Sequence, residues 1–277
     1  SRIAQPTAYP DWEQRLLSCQ PRLTPNSISS LRLGDQEYES KGDYFEHLSP
    51  LSRGAAFTFS DCGTLEIEAT ENYIESLESE WLAVAPASRK AFLQKFHNLM
   101  SKSFDSFEKL LLQDLGKSAQ DAREELSRAI NHVIYNIGLI DQLDEEIDHS
   151  ILVKHRPLGC VAIITPWNNP IALAVAKISA AIACGNTVLW KPAPQGARVA
   201  NLIYDLLLCA AQGILNELPI ALVQGGALTG ESVIRSRIVC AVTLTGATST
   251  GLKAKASCDQ RGIPLQAELG GNNGLIV

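Results

Sequence analysis

Strand-like and helix-like segments alternate through the second half of this chain, and this alternation limits the possible folds more than any other feature. The strand-like segments are apolar without polar alternation, so both of their faces are expected to be covered. They are Cys160 to Thr165, Thr187 to Lys191, Ile220 to Gln224, Ala241 to Thr245 and Pro264 to Ala267. The helix-like segments are Pro170 to Ala183, Gln195 to Gln212, Thr229 to Arg235 and Ser249 to Ser257. Such spacing is typical of βαβ units and predicts an α/β fold with a doubly wound parallel sheet.

Polar or glycine-rich groups stand at four strand ends, where open α/β sheets bind their ligands. The first group is Trp167-Asn168-Asn169, which lies between Pro166 and Pro170. A carboxamide fixed at a strand end can donate a hydrogen bond to a developing oxyanion. The alternative is an ordinary βα turn in which asparagine is the turn former.

Two further strand ends carry groups that suit an anionic ligand. Lys191 ends a buried strand, and its ammonium can hold a ribose hydroxyl or a phosphate; the alternative is a solvated lysine. The turn from Thr245 to Gly251 is rich in glycine, and bare helix N–H groups there suit a diphosphate. This turn lacks the GxGxxG spacing, so it is weak evidence when taken alone. The turn from Gly225 to Gly230 is a second flexible strand exit.

The fourth group is Glu268-Leu269-Gly270-Gly271, directly after an apolar strand. Glycines let the backbone approach a ligand closely, and the glutamate can then act as a general base. The alternative is a glutamate that caps a helix or marks a hinge.

The first half of the chain has a different character. Residues 1–45 contain scattered prolines and predict an irregular arm with one short helix near Asp11 to Cys19. Residues 46–143 are mainly helical in pattern, and Gly116 is expected to end a helix at Leu115. Ser118 with Asp121 predicts the N-cap of a long helix that follows.

Residues 144–159 separate the helical part from the strand–helix alternation. Asp144 to Asp148 is acidic and predicts a loop, whereas Ser150 to His155 predicts a strand. We expect this strand either to add to another sheet, across a subunit interface, or to form an edge strand of the same domain.

Composition argues against several classes of partner. The chain has 277 residues, a net charge of −6 and no basic tract, which argues against nucleic acid binding. Its longest apolar stretch, Ile171 to Cys184, contains Lys177 and is too short to cross a membrane. Seven scattered cysteines without a CxxC motif and five dispersed histidines predict reduced thiols, a cytoplasmic protein and no metal site.

From about Ser49 to Val277, these motifs together resemble the aldehyde dehydrogenase superfamily. The most specific matches are Thr165-Pro166-Trp167-Asn168, Gly185-Asn186-Thr187-Val188 with Lys191-Pro192, Thr245-Gly246 with Gly251, and Glu268-Leu269-Gly270-Gly271. The helical part adds Trp81, Arg89, Leu115-Gly116-Lys117 and Ala122-Arg123-Glu124. Four ordered motifs at family-like spacing make a chance match improbable.

The resemblance implies an NAD(P)+-dependent enzyme that oxidises a small-molecule aldehyde to a carboxylic acid, with NAD or NADP as cofactor. Asn168 would stabilise the oxyanion of a thiohemiacetal, and Glu268 would activate the water that hydrolyses the thioester. Lys191 would bind the adenosine ribose. Cofactor contacts are expected from Thr165, Pro166, Trp167, Lys191, Gly225, Thr245, Gly246, Ala247, Gly251, Leu269 and Gly270.

The resemblance also implies a division of the chain. The strand near Ile151 to Lys154 would belong to an oligomerisation element, which predicts a homo-oligomer. The expected parts are an N-terminal arm (1–45), a helical part (46–143), the oligomerisation strand (144–159), a Rossmann-like dinucleotide-binding core (160–270) and the start of a catalytic domain (271–277).

Three positions depart from the family pattern. Pro194 stands where a glutamate commonly grips the ribose hydroxyls, so the preference between NAD and NADP is open. Ala247 replaces a frequent serine, which would remove one diphosphate contact. Asn169 stands where a bulky aromatic residue is usual, and it would make that wall of the substrate tunnel smaller and more polar.

The family's cysteine nucleophile lies a few tens of residues beyond the glutamate motif, and none of the seven cysteines matches it. Cys258 precedes Glu268 and is expected to be a thiol on a helix surface. Our first hypothesis is the N-terminal part of an aldehyde dehydrogenase, inactive as a fragment because it lacks the thiolate. The alternative is a non-catalytic dinucleotide-binding or assembly module. An acylating reductase of the same fold is a weaker option, because it needs no base such as Glu268.

Overall fold

The computed structural model describes residues 27–148, 151–271 and 273–274. Its strands are β1 (Leu31–Leu33), β2 (Gln36–Tyr38), β3 (Tyr44–Leu48), β4 (Ala55–Ser60), β5 (Asp144–Asp148), β6 (Ile151–Lys154), β7 (Cys160–Thr165), β8 (Thr187–Pro192), β9 (Ile220–Val223), β10 (Val239–Gly246) and β11 (Leu265–Leu269). Its helices are α1 (Thr64–Leu82), α2 (Pro86–Ser101), α3 (Phe104–Leu115), α4 (Ala119–Ile140), α5 (Ala172–Ala183), α6 (Ala197–Ala211), α7 (Ala227–Arg235) and α8 (Thr248–Arg261).

Seven of the strands form one sheet in the order β11-β10-β7-β8-β9-β1-β2. The strands from β11 to β9 are parallel to their neighbours, whereas β1 and β2 are added antiparallel at the end of the sheet. The chain moves from β7 to β8 and β9, and then returns to place β10 on the other side of β7. The order therefore reverses between β7 and β10, which is where open α/β sheets form a ligand crevice.

Helices cover both faces of this sheet, because its central strands are apolar on both sides. Trp190 in β8 faces the core formed with α2 to α6, where Phe92 and Ile178 are fully buried. Its neighbour Leu189 faces the opposite core, which includes Ile74 of α1 and Val233 of α7. The predicted doubly wound parallel sheet is thus confirmed.

The helix ends follow the local sequence. Gly116 ends α3 with a left-handed φ of 67°, which glycine adopts without steric cost. The hydroxyl of Ser118 accepts a hydrogen bond from the backbone N–H of Asp121 at 3.1 Å and caps α4. Both ends agree with the prediction.

Two expectations about local structure were wrong. Residues 31–38, expected in an irregular arm, contain β1 and β2, because β1 gains backbone partners from the distant β9. Asp144–Asp148, expected as a loop, is strand β5, which pairs antiparallel with β6 in a two-stranded sheet outside the central one.

The helix expected near Asp11 to Cys19 lies outside the described residues, as do Ser150 and the final residues 275–277. In the part of the chain that the structure describes, no helix combines the length and apolar character needed to cross a membrane.

Candidate functional site

A cleft of about 750 Å³ opens at the carboxyl ends of the parallel strands, between β7 and β10, where the strand order reverses. Helices α7 and α8 form its further walls. Seven predicted cofactor residues, from three separate strand ends, line this cleft: Thr165, Pro166, Trp167, Lys191, Thr245, Gly246 and Ala247. The fold therefore brings together groups that are far apart in the sequence.

The strand end at β7 has one buried and one exposed side chain. The hydroxyl oxygen of Thr165 accepts a hydrogen bond from the indole Nε1 of Trp190 at 3.0 Å, and both residues are buried. Trp167, two residues later, is 51% exposed and offers its indole to the cleft. The first residue fixes the strand end, and the second presents an apolar surface to a ligand.

Lys191 is buried although it carries a cation. Only 5% of the residue is exposed, and its Nζ atom donates to the carbonyl oxygen of Pro192 at 2.9 Å. Burial lowers the pKa of Lys191 from 10.5 to about 8, and the charge of Asp61 opposes that fall. A cation buried at the edge of a cleft can donate to a ligand oxygen with little competition from water.

The turn after β10 contains a polar atom without a partner. The Oγ1 atom of Thr245 is buried and has no hydrogen-bond partner among the residues that the structure describes. Such orphaned hydroxyls are rare in proteins, and here the residue lines the cleft. A ligand oxygen in the cleft would provide the missing hydrogen bond.

Cations outnumber carboxylates around the cleft. Arg235 of α7 and Lys253 of α8 line it together with Lys191, whereas Glu231 is the carboxylate of the lining. The Lys253 ammonium lies 3.3 Å from the Glu231 carboxylate, so this pair partly neutralises itself. The remaining positive charge suits an anionic ligand.

Four residues predicted to bind cofactor stand outside the cleft lining, and three of them have packing roles. A Cβ atom added at Gly225 would lie 2.5 Å from the Cβ of Thr229. A Cβ added at Gly251 would lie 2.4 Å from Cδ2 of Leu269, so these two predicted residues pack against each other. Gly270 follows directly after β11. Their contact with a cofactor stays a prediction.

Asn168 follows the cleft lining at the end of β7 and is exposed. Its Oδ1 atom accepts a hydrogen bond from the backbone N–H of Asn169 at 3.0 Å. The Oδ1 atom of Asn169 in turn accepts from the Lys117 ammonium at 3.1 Å. Because the Asn168 oxygen is engaged, its amide NH2 is the group available to donate.

Glu268 lies within β11 rather than after it, since the strand runs on to Leu269. It pairs in register with Thr245 of β10, so it reaches the same edge of the sheet as Asn168. Its side chain is exposed, and Oε1 accepts from Nε2 of Gln266 at 3.1 Å. The Oε1 atom of Gln266 accepts a hydrogen bond from the Lys177 ammonium at 2.8 Å. Burial lowers the pKa of Lys177.

The sequence reading missed the helical walls of the cleft. The signal was present, because the lining residues of each helix recur at helical spacing on one face. They are Ala227, Gly230, Glu231, Ile234 and Arg235 of α7, and Thr250, Lys253, Ala254, Ala256, Ser257 and Gln260 of α8.

Cys258 differs from its prediction as a surface thiol. It is 1% exposed and packs in the core that α8 forms with the sheet, where burial raises the pKa of its thiol. The cleft lining contains no cysteine among the described residues. Nor do the described residues contain a group of histidine, cysteine and acidic side chains that could hold a metal ion.

A doubly wound sheet with a ligand-sized cleft at its switch point defines an open-sheet α/β protein that binds its ligand at this edge. Residues 38–277 match the sequence profile of the Aldehyde dehydrogenase family. The chain therefore belongs to the aldehyde dehydrogenase family.

Individual relatives agree with this assignment. The chain is 32% identical to the long-chain-aldehyde dehydrogenase of Acinetobacter over 245 residues, which cover 84% of this chain and 47% of that protein. It is 27% identical to the D-glyceraldehyde dehydrogenase (NADP(+)) of Picrophilus torridus, over 88% of this chain and 50% of the relative. The chain spans about half the length of these relatives.

Solved structures support the fold. An aldehyde dehydrogenase from Bartonella henselae superposes with a TM-score of 0.83 at 19% identity, over 89% of this chain and 53% of that structure. At this level of identity, the similarity concerns the fold alone.

Proposed function

We propose that this chain is the cofactor-binding part of an NAD(P)+-dependent aldehyde dehydrogenase. In this proposal it supplies the dinucleotide site, the oxyanion donor Asn168 and the general base Glu268. The observation that carries the proposal is the cleft at the switch point, which unites Lys191 with the Thr245 to Ala247 turn.

The residues present fit a dinucleotide. Lys191 holds a ribose hydroxyl, and the helix that begins after Ala247 directs its free N–H groups toward a diphosphate. The Thr245 hydroxyl, which has no partner among the described residues, gains one from the same ligand. Pro194 lines the cleft and offers no side-chain acceptor to the ribose hydroxyls, so this position does not select between NAD and NADP.

The dinucleotide, when bound, supplies the hydride acceptor for oxidation of the aldehyde. The NH2 group of Asn168 donates a hydrogen bond to the oxyanion that forms when a nucleophile attacks the aldehyde. The carboxylate of Glu268 accepts a proton from water as that water attacks the acyl intermediate. Both side chains are exposed at the same edge of the sheet, which leaves them accessible to substrate.

Calorimetric titration of the 277-residue chain with NAD+ and with NADP+ tests the cofactor site. We expect binding, and about a 10-fold loss of affinity in Lys191→Met, because a charge-assisted hydrogen bond is lost. Lys255→Met is the matched control, since Lys255 is an exposed lysine of α8 that pairs with Asp259 outside the cleft. Absence of binding by both dinucleotides would contradict the proposal.

The catalytic role is tested on the protein as it occurs in its source. The intact mass of the protein from its source is compared with the 30.0 kDa of this chain. A mass well above 30.0 kDa supports a polypeptide that also carries the nucleophile. Reduction of NAD+ or NADP+ in the presence of aldehydes, abolished in Asn168→Ala, supports the dehydrogenase.

The alternative function is a non-catalytic dinucleotide-binding or assembly module, which needs only the cleft described above. Such a module binds dinucleotide but oxidises no aldehyde. Retention of Asn168 and Glu268 favours the enzyme, because a binding module needs neither side chain.

Assembly and location belong to the same proposal. The two-stranded sheet of β5 and β6 lies outside the central sheet, which supports its role as an oligomerisation arm that pairs between copies of the chain. Light scattering of the purified chain tests this role, and a monomer would contradict it. The six described cysteines are free, which supports a reducing, cytoplasmic location.

A further inference from the structure

A buried glutamate of α4 caps a different helix. Glu125 has no exposed surface, and its Oε1 atom accepts hydrogen bonds from the backbone N–H groups of Ile171 at 2.7 Å and Ala172 at 3.1 Å. These N–H groups begin α5, whose own N-cap residue Ile171 provides no side-chain cap. Glu125 therefore satisfies donors that the local sequence leaves free, and it fixes the start of α5 on α4.

Lys117 connects this carboxylate to the loop before α5. Its Nζ atom is hydrogen-bonded to Oε2 of Glu125, and it also donates to Oδ1 of Asn169 at 3.1 Å. The lysine side chain is only 17% exposed, so water competes little for either contact. Both ends of the short segment 169–172 are thus attached to the same buried ion pair.

Asn168 stands immediately before this segment and shares a hydrogen bond with it. The backbone N–H of Asn169 donates to Oδ1 of Asn168 at 3.0 Å, and this bond sets which face of the carboxamide is free. If residue 169 moves, the acceptor side of the carboxamide loses its partner. The amide can then rotate, and its NH2 group is no longer directed at one place.

We propose that Glu125 and Lys117 are positioning residues that hold the segment 169–172 and, through it, orient the Asn168 carboxamide as an oxyanion donor. This inference rests on the proposed catalytic role of Asn168. The Lys117–Asn169 contact uses the polar side chain of Asn169, which tethers the loop before α5 to the ion pair.

The experiment measures the order of the Asn168 side-chain amide by 15N relaxation in the 277-residue chain. The variants are Glu125→Gln and Lys117→Met. Lys117→Arg is the conservative rescue, because a guanidinium retains the charge and several donors. Glu124→Gln is the matched control, since Glu124 is the exposed neighbour of Glu125 on α4. Affinity for NAD+ and NADP+ is measured on each variant.

We expect the order parameter of the Asn168 amide to fall in Glu125→Gln and Lys117→Met, to return in Lys117→Arg and to stay unchanged in Glu124→Gln. Cofactor affinity should stay within about two-fold, because neither residue lines the described cleft. If Glu125→Gln unfolds, the order of the Asn168 amide in Lys117→Met and in Lys117→Arg tests the proposal.

An Asn168 amide that keeps its order in Lys117→Met, while the Asn169 resonance shifts, would overturn the proposal and reduce the pair to a structural cap. Failure of the wild-type chain to bind either dinucleotide is a separate result, and it would count against the proposed function rather than the positioning.

Discussion

Gly225 lies against Thr229 so closely that a Cβ atom at position 225 would stand 2.5 Å from the Cβ of Thr229. Thr229 cannot move away easily, because its hydroxyl donates to the carbonyl oxygen of Cys62 at 2.8 Å and the residue is buried in the first turn of α7. The glycine therefore sets the distance between the end of β9 and α7, which is one wall of the cleft.

Replacing Gly225 with alanine should lower the free energy of unfolding by about 1–3 kcal/mol, since overpacking forces the backbone or the helix to shift. Urea denaturation measures this change. Gly138→Ala in the interior of α4 is the control, because nothing lies within 4 Å of the added Cβ. It should raise stability by about 0.5–1 kcal/mol. Equal effects of the two substitutions would contradict the packing role of Gly225.

Lys191 gives a second prediction, on pH. Its pKa is lowered from 10.5 to about 8 by burial, so between these pH values the unfolded chain binds more protons than the folded chain. Folding stability contributed by this residue is therefore lowest below pH 8 and increases as pH rises towards 10.5.

The comparison variant is Lys191→Met, which has no proton to lose. Relative to it, the wild type should gain about 1–3 kcal/mol of unfolding free energy between pH 7 and pH 10.5. Denaturation curves at both pH values test this. Lys255→Met serves as control, because that side chain is exposed at the surface. If the difference in unfolding free energy between the wild type and Lys191→Met is the same at both pH values, burial does not lower the pKa of the Lys191 ammonium.

Local pattern was sufficient for the parallel core but not for the sheet's antiparallel end. Strands β7 and β8 are continuous apolar runs, and their type can be recognised without knowing their partners. By contrast, β1 has three residues and becomes a strand because Leu31 pairs with Val223, far along the chain. A pairing of that kind leaves no signal in the neighbouring sequence.

The candidate site divides in the same way. Residues at strand ends, such as Lys191 and Thr245, were predictable because parallel strands bring their carboxyl ends to one edge. The effect of the Asp61 charge on the pKa of Lys191 was not predictable, because it depends on the position of the loop after β4. In that loop, the Asp61 carboxylate accepts a hydrogen bond from the backbone N–H of Gly226 at 2.9 Å. Glu125 lies on a helix with many charged residues and is nevertheless fully buried, because the N-terminus of α5 packs against it.

Glu39 provides a pH prediction of the opposite sign. The residue is 9% exposed, and its Oε1 atom has no hydrogen-bond partner among the described residues. Burial, with a smaller effect from the charge of Glu37, raises the pKa of Glu39 from 4.5 to about 7. The folded chain thus retains a proton that the unfolded chain loses between these pH values, and stability falls as pH rises through this window.

Substituting Glu39 by glutamine removes the titrating group. The unfolding free energy of Glu39→Gln minus that of the wild type should be about 1–3 kcal/mol larger at pH 7.5 than at pH 4.5. Glu46→Gln, at an exposed position of β3, is the control and should show no such change. A Glu39→Gln variant that is equally affected at both pH values would show that Glu39 is accessible to water in solution.

The final prediction concerns the bond between Thr165 and Trp190 beneath the cleft. In Thr165→Val, the buried indole N–H of Trp190 loses the hydroxyl that accepts its hydrogen bond at 3.0 Å. Leaving a buried donor unsatisfied should cost about 1–3 kcal/mol of unfolding free energy. Thr165→Ser retains the oxygen and should recover most of this loss, which separates the hydrogen bond from the packing of the methyl group. If both variants lose equal stability in urea denaturation, the methyl contact rather than the hydrogen bond holds the end of β7 in place.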